Sequence, residues 1–422
     1  MWLKPTDFKN DQVLVTGVAM GGASTAPEAD YAETVLSASL VSLAGVGGLK
    51  PPELTKLLAG RIASVNPFVD LSTHGVRGSS RPQDLEAAMQ VLYLTFTQPN
   101  ADQQAFDLLQ RQLSSLIANR EQNPQAVFGD RVRALNTGDH YMVRPFTMEL
   151  VRALKLDTMS RAFRSRFTNA ADFTFLIVGA FEQAAITPLI EQYIAALPST
   201  GKRASDDEPL GFRFPGKVET ITVERGKEPR SETVLTFFAG TGGDEQEESL
   251  AEAAASLLQI RLRDILREDL GGTYSVGASY SNTMPDPSYA TTSVRFGSSP
   301  DNASKLSAEV LTEIRRLAAE GPTAEDAAKV REQARRELEV AERQNGYWTS
   351  ALTDAVVNGR DAAAIATRAA RIDRLTPELL KSAYERHFPV SRYTHATLLP
   401  AEDAGSASKP TPTEGASAPP KP

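Results

Sequence analysis

The feature that most constrains this chain is that it says the same thing twice. A strand at Val13–Met20 leads into a helix at about 29–43, where Tyr31, Val35, Leu36, Leu40 and Leu43 recur at helical spacing. A short helix near 52–60 and an extended stretch, "SVNPFVDLSTHGVRGSS", follow. Two helices at about 82–97 and 101–121 are joined by "TQPNAD", in which Asp102 is placed to cap the second. Helices near 147–166, the strand "DFTFLIVGAF" and a helix at about 183–196 complete the order. The second pass opens with strands "VETITV" and "ETVLTFFAG" and a long helix at about 245–267. Strands at 273–281 and 289–297 follow, then two long helices joined by "EGPTAED". Its close, "IDRLTPELLKSAYERHFPVSRYTHATLLPA", matches "LKLDTMSRAFRSRFTNAADFTFLIVGAF" in helix, aromatic stop and strand. The expected fold is a duplicated α+β unit, each an antiparallel-rich sheet with helices packed on one face. The polar, Gly- and Pro-rich stretch 201–217 reads as a linker between a first domain at 1–200 and a second at 218–400. Residues 401–422, rich in Pro, Ala, Ser and Lys, lack the large apolar side chains that offset ordering entropy and read as a disordered tail.

Composition removes several classes of function. The net charge of −8 is the wrong sign for a nucleic-acid footprint. With no cysteine, neither a disulfide framework nor a thiolate zinc site can form. No apolar run reaches the length of a membrane span, and Lys4, Pro5, Asp7 and Lys9 break up the start as a signal peptide. The four histidines, His74, His140, His387 and His395, have no second histidine within five residues, so none is assigned a metal. "FFAGTGGDEQEESL" sits where a phosphate loop would, but its Asp244, Glu245, Glu247 and Glu248 complement a helix dipole and repel phosphate. No G-x-S-x-G elbow is present.

What remains is "DILREDLGGTYSVGASY", residues 264–280. Arg267 ends a helix, Gly271-Gly272 allows a sharp reversal, and Tyr274 opens a strand. A guanidinium and a phenol projecting from adjacent elements make a pair that can hold a carbonyl or an oxyanion. The plainer reading is a dipole-capping Arg beside an ordinary strand Tyr. "LREDLGGTYSV" resembles the C-terminal signature of the insulinase/pitrilysin family of zinc metallopeptidases, in which an Arg and a Tyr seven residues apart reach the active site. "LKPTDFKNDQV", "GGLKPPELTKLLAG", "YLTFTQPNADQQAF" and "FTFLIVGAFE" extend the resemblance to the second half of bacterial zinc proteases of this family, over about residues 2–400.

The resemblance implies two metallopeptidase-like domains forming one half of a clam shell around an extended peptide. It implies that Arg267 and Tyr274 are the catalytic contribution of this half. Family members carry zinc on H-x-x-E-H plus a downstream Glu in the first half. Here the corresponding helix reads "DYAETVLSASLVSLAG", with Glu33 but no His, so no cofactor is expected on this chain and zinc is expected on a partner half. The implied function is the non-catalytic half of a zinc metalloendopeptidase, inactive alone. The alternative is a structural or peptide-binding subunit that has lost proteolysis. The expected partners are the zinc-bearing half and an extended peptide, with no nucleic acid and no membrane span. The resemblance to envelope proteases implies a periplasmic location.

Overall fold

The computed structural model describes residues 1–203, 210–269, 273–283 and 286–401. Among the described residues ten strands form two five-stranded sheets. The first contains β1 (Trp2–Pro5), β2 (Val13–Met20), β3 (Ala63–Val69), β4 (Thr73–Ser80) and β5 (Thr174–Gly179). The second contains β6 (Glu219–Glu224), β7 (Ser231–Phe238), β8 (Thr273–Thr283), β9 (Asp286–Ser298) and β10 (Tyr393–Leu399). The strand orders are β1-β5-β2-β4-β3 and β6-β10-β7-β9-β8, the same path traced twice. In each sheet only the outermost pair, β1 with β5 and β6 with β10, is parallel. The remaining pairs are antiparallel, so the duplication expected from the sequence extends to strand direction.

Each sheet buries one face under its own helices. Phe175 and Ile177 of β5 join Val13 and Val15 of β2 in a core closed by Phe96, Phe163 and Phe167 from helices Leu85–Thr97 and Leu156–Phe167. In the second sheet, Leu235 and Phe237 meet Leu258 of helix Glu245–Leu262 and Ile314 of helix Ala303–Glu320. Tyr384 of helix Pro377–His387 is fully buried there, and its hydroxyl donates to the Ala254 carbonyl at 2.7 Å, which removes the cost of an orphaned phenol.

The opposite faces are covered by an exchange. Helix Pro124–Thr137, which follows the helix pair of the first repeat, places Phe128 and Val132 against Val234, Ala396 and Leu398 of the second sheet. Helix Asn345–Val357, its counterpart in the second repeat, places Leu352 with Trp348 and Val356 against Leu176 and Val178 of the first sheet. Hence "FLIV" in β5 is apolar at every position: Phe175 and Ile177 face one core, Leu176 and Val178 the other. Hydrogen bonds pin both exchanges. Asn345 accepts from Thr6 Oγ1 at 2.6 Å and donates to Gln12 Oε1 at 3.2 Å. Asn136 accepts from Thr394 Oγ1 at 2.7 Å and donates to Thr236 Oγ1 at 3.2 Å.

Local signals account for most boundaries. Asp102 caps helix Gln103–Gln122 by accepting from Ala105 N at 2.9 Å, and Asp244 caps helix Glu245–Leu262 by accepting from Gln246 and Glu247 N. The extended stretch after the short helix Pro51–Leu57 is the β3–β4 hairpin. In the stretch expected as a linker, residues 204–209 lie outside the described residues, whereas Leu210 and Phe214 are buried. The expected disordered tail lies outside the described residues from 402 onward. No described helix is long and apolar enough to cross a membrane.

Candidate functional site

The long helix does not continue as an ordinary α-helix to residue 267. After Leu262 it widens into a π-helical stretch, Arg263–Asp269, which contains Arg267. Leu262 and Leu266 are both fully buried and fasten this stretch to the second core. Wide π turns are uncommon and recur at functional sites, because they change the face on which the following residues emerge. Residues 270–272, including Gly271-Gly272, lie outside the described residues.

The strand that follows is irregular at the residue of interest. Thr273 pairs with Ser298 and Ser275 with Gly297, so two steps along β8 oppose one step along β9, and Tyr274 is the extra residue of a bulge. Thr273 holds the bulge: its hydroxyl donates to the Gly297 carbonyl at 2.6 Å and accepts from Ser275 N at 3.3 Å. The side chains of Arg267 and Tyr274 themselves lie outside the described residues. At backbone level, then, the two residues occupy a π-helical end and a bulged start of β8, an edge strand of the second sheet. Beside the bulge a cavity of about 550 Å³ is lined by Ser231, Glu232, Ser275, Arg295, Gly297 and Leu398, with Arg295 paired to Glu232 at 2.8 Å.

The helix expected to correspond to a zinc-motif helix is Tyr31–Ala44. Its buried stripe of Ala32, Leu36, Leu40 and Ala44 packs on Phe106, Leu109 and Leu113 of helix Gln103–Gln122. The buried face of this helix is aliphatic and the helix carries no imidazole, so these residues do not fit a zinc ion. Among the described residues there is no group of three or more His, Asp or Glu side chains arranged to hold a metal. The four histidines are held separately. His74 is buried against Phe167 and Phe173, its Nε2 lies 2.9 Å from the Arg166 carbonyl, and burial together with the Arg166 charge pushes its pKa down to about 4. His387 pairs with Glu247 at 3.0 Å, His395 lies 3.2 Å from Ser307 Oγ, and His140 packs on Tyr141 and Phe212.

One charged cluster was not foreseen. A cavity of about 420 Å³ separates helix Glu245–Leu262 from the segment that follows helix Asn345–Val357. Across it Arg360 meets Glu248 at 2.7 Å, Arg371 meets Glu245 at 3.4 Å and Arg368 meets Glu252 at 3.4 Å. Burial raises the pKa of Glu252 and of Asp354, and carries Tyr280 up to about 12. Each guanidinium faces a carboxylate, so the cluster is a clasp that fastens the exchanged segment to the second unit. The acidic run after Asp244 and the Arg spacing of 360–371 were visible in the sequence, but nothing local shows that they meet.

Residues 158–334 match the family model described as the peptidase M16 inactive domain. A "Zinc protease PQQL-like" of Arabidopsis thaliana is 29% identical over 426 residues, covering 94% of this chain and 42% of the relative. The periplasmic protease PqqL from Escherichia coli superposes with a TM-score of 0.81 at 18% identity, covering 94% of this chain and 44% of that one. The first half of the same Escherichia coli protease also superposes, at a TM-score of 0.75 and 14% identity, covering 96% of this chain and 91% of that one. The fold is therefore one that the first half of such a protease also has. The chain spans less than half the length of these full-length relatives. Residues 158–334 thus match the peptidase M16 inactive domain, and nearly the whole chain is homologous to PqqL-type zinc proteases.

Proposed function

We propose that this chain is the non-catalytic half of a zinc metalloendopeptidase that encloses and cleaves extended peptides. The observation that carries the reading is the construction around residues 267 and 274: a π-helical stretch ends three residues before a bulged strand start at a sheet edge. Both irregularities fall on the two residues whose chemistry suits a carbonyl. In this reading Arg267 holds the substrate carbonyl and Tyr274 donates to the oxyanion as it develops. A partner half supplies zinc, its ligands and the base, since helix Tyr31–Ala44 presents aliphatic side chains instead. The periplasmic relative supports an envelope location.

The test is reconstitution. The chain alone leaves a quenched peptide intact; mixed with a matching H-x-x-E-H half it restores cleavage. Zinc-dependent cleavage by the chain alone refutes the assignment. Peptide binding without rescue by any such half would instead identify a subunit that binds peptide and has lost proteolysis.

A further inference from the structure

The two sheets share a strand order, and in each the first strand of a hairpin lies at an edge: β3, paired with β4, in the first and β8, paired with β9, in the second. These edges are finished differently. On β8 the Ala278 N–H is taken by Gln259 Oε1 at 3.2 Å, from the helix lying along that strand. On β3 the pairing with β4 is unbroken from Ala63 to Val69. At its two ends Arg81 N donates to the Ile62 carbonyl and Asp70 N to the Thr73 carbonyl, so the even-numbered residues bond inward. The backbone groups of Ala63, Val65 and Pro67 therefore point away from the sheet. Pro67 fits this alternation, because a proline is tolerated where its missing N–H would have faced outward. The N–H groups of Ala63 and Val65 and the carbonyls of all three residues have no protein partner among the described residues.

A groove of about 360 Å³ runs beside this edge. Val65 and Pro67 form one wall, and Leu54 and Leu58 at helix Pro51–Leu57 the other, over a floor that includes Val41 and Val91. Arg61 lines its mouth and is exposed. Ile62 and Leu57 flank it at 59% and 66% exposure, unusual for large aliphatic side chains so close together. Unsatisfied strand groups beside an apolar trough with a cation at the rim are the recognition elements of strand addition: main-chain bonds give affinity and alternate side chains give selectivity.

We propose that β3 receives an extended polypeptide segment as a sixth strand of the first sheet, with alternate apolar side chains in the groove and an acidic residue beside Arg61. The site needs neither zinc nor a partner half, so it stands or falls apart from the protease reading.

The test uses the full chain and fluorescein-labelled heptapeptides with Val or Leu at alternate positions, ending in Asp or in Lys, followed by anisotropy. The Asp series binds more tightly than the Lys series. Val65→Pro, which removes one outward N–H while leaving the bonds to β4, weakens binding about fivefold. Thr55→Trp, a surface helix change that fills the groove, weakens it about tenfold or more. Arg61→Glu reverses the preference between the two series. Thermal melts establish that each variant is folded, and Thr55→Trp carries the test if Val65→Pro is not. The proposal is overturned by absence of binding up to about 1 mM. It is also overturned by equal binding to folded variants, or by a concentration-dependent dimer that Thr55→Trp abolishes without peptide, which would assign the edge to a second copy.

Discussion

Phe128 belongs by sequence to the first repeat and by packing to the second sheet, so its truncation measures how strongly the two are joined. It is 1% exposed, in a cluster with Val132, Val234, Ala396 and Leu398. Phe128→Ala removes a fully buried ring from a small satellite core that cannot collapse far, because its other side is a hydrogen-bonded sheet. The expected loss is about 3–5 kcal/mol. If the exchange of helices makes the folded chain a single cooperative unit of roughly 400 residues, an unfolding entropy near 0.8 kcal/mol/K turns about 4 kcal/mol into a fall in Tm of about 5 °C. If only the second sheet responds, the same loss is spread over roughly half the residues and that transition drops by about 10 °C while the other stays in place. Differential scanning calorimetry separates the cases. One endotherm, displaced as a whole, is the outcome the exchange predicts. Two endotherms, of which only one moves, or a shift below about 1 °C, would refute the coupling and leave Phe128 as ordinary packing.

Three further outcomes are expected. His74 is held neutral, with its pKa lowered to about 4, so the folded state binds fewer protons than the unfolded one between that value and 6.5. Its contribution is intact above pH 6.5 and about 3 kcal/mol is lost as the pH falls towards 4; urea midpoints across this range should fall more steeply for the wild type than for His74→Phe. Gly75→Ala would place a Cβ 1.9 Å from the Gly17 carbonyl oxygen, forcing β2 and β4 apart, and should cost about 1–3 kcal/mol in chemical denaturation. In the reconstituted protease, Tyr274→Phe should lower kcat by about 10²–10³ with little change in KM, whereas Arg267→Ala should alter both; unchanged kinetics with altered stability would return the pair to architecture.

Most of the repeat was legible because its signals are local. Turn residues, caps at Asp102 and Asp244, and the apolar run of β5 each report on neighbours within a few positions. The two exchanged helices were missed for the opposite reason. Each touches a single sheet face and needs only a narrow stripe, Phe128–Val132 in one and Trp348–Leu352–Val356 in the other, and the surface it meets is distant in sequence. The Asn123-Pro124 start, with Asn123 accepting from Gln125 and Ala126 N, was a readable cap that could have revealed the first. At the site, the spacing of Arg267 and Tyr274 about Gly271-Gly272 is visible in the sequence. The π winding of "RDILRED" is not, since the segment contains no Gly or Pro to interrupt an α-helix. The Glu–Arg clasp depends on segments about a hundred residues apart and has no local signature.

The exchange also sets an order of events during synthesis. Leu176 and Val178 emerge with β5, but the helix that covers them, Asn345–Val357, is made about 180 residues later. At ordinary elongation rates that leaves this apolar face of the first sheet uncovered for roughly 10–35 s. A nascent chain in this state offers a binding surface to holdase chaperones and a route to aggregation. Both should subside abruptly once residues 345–357 have left the ribosomal exit tunnel, a boundary that arrest-peptide profiling along the message can locate.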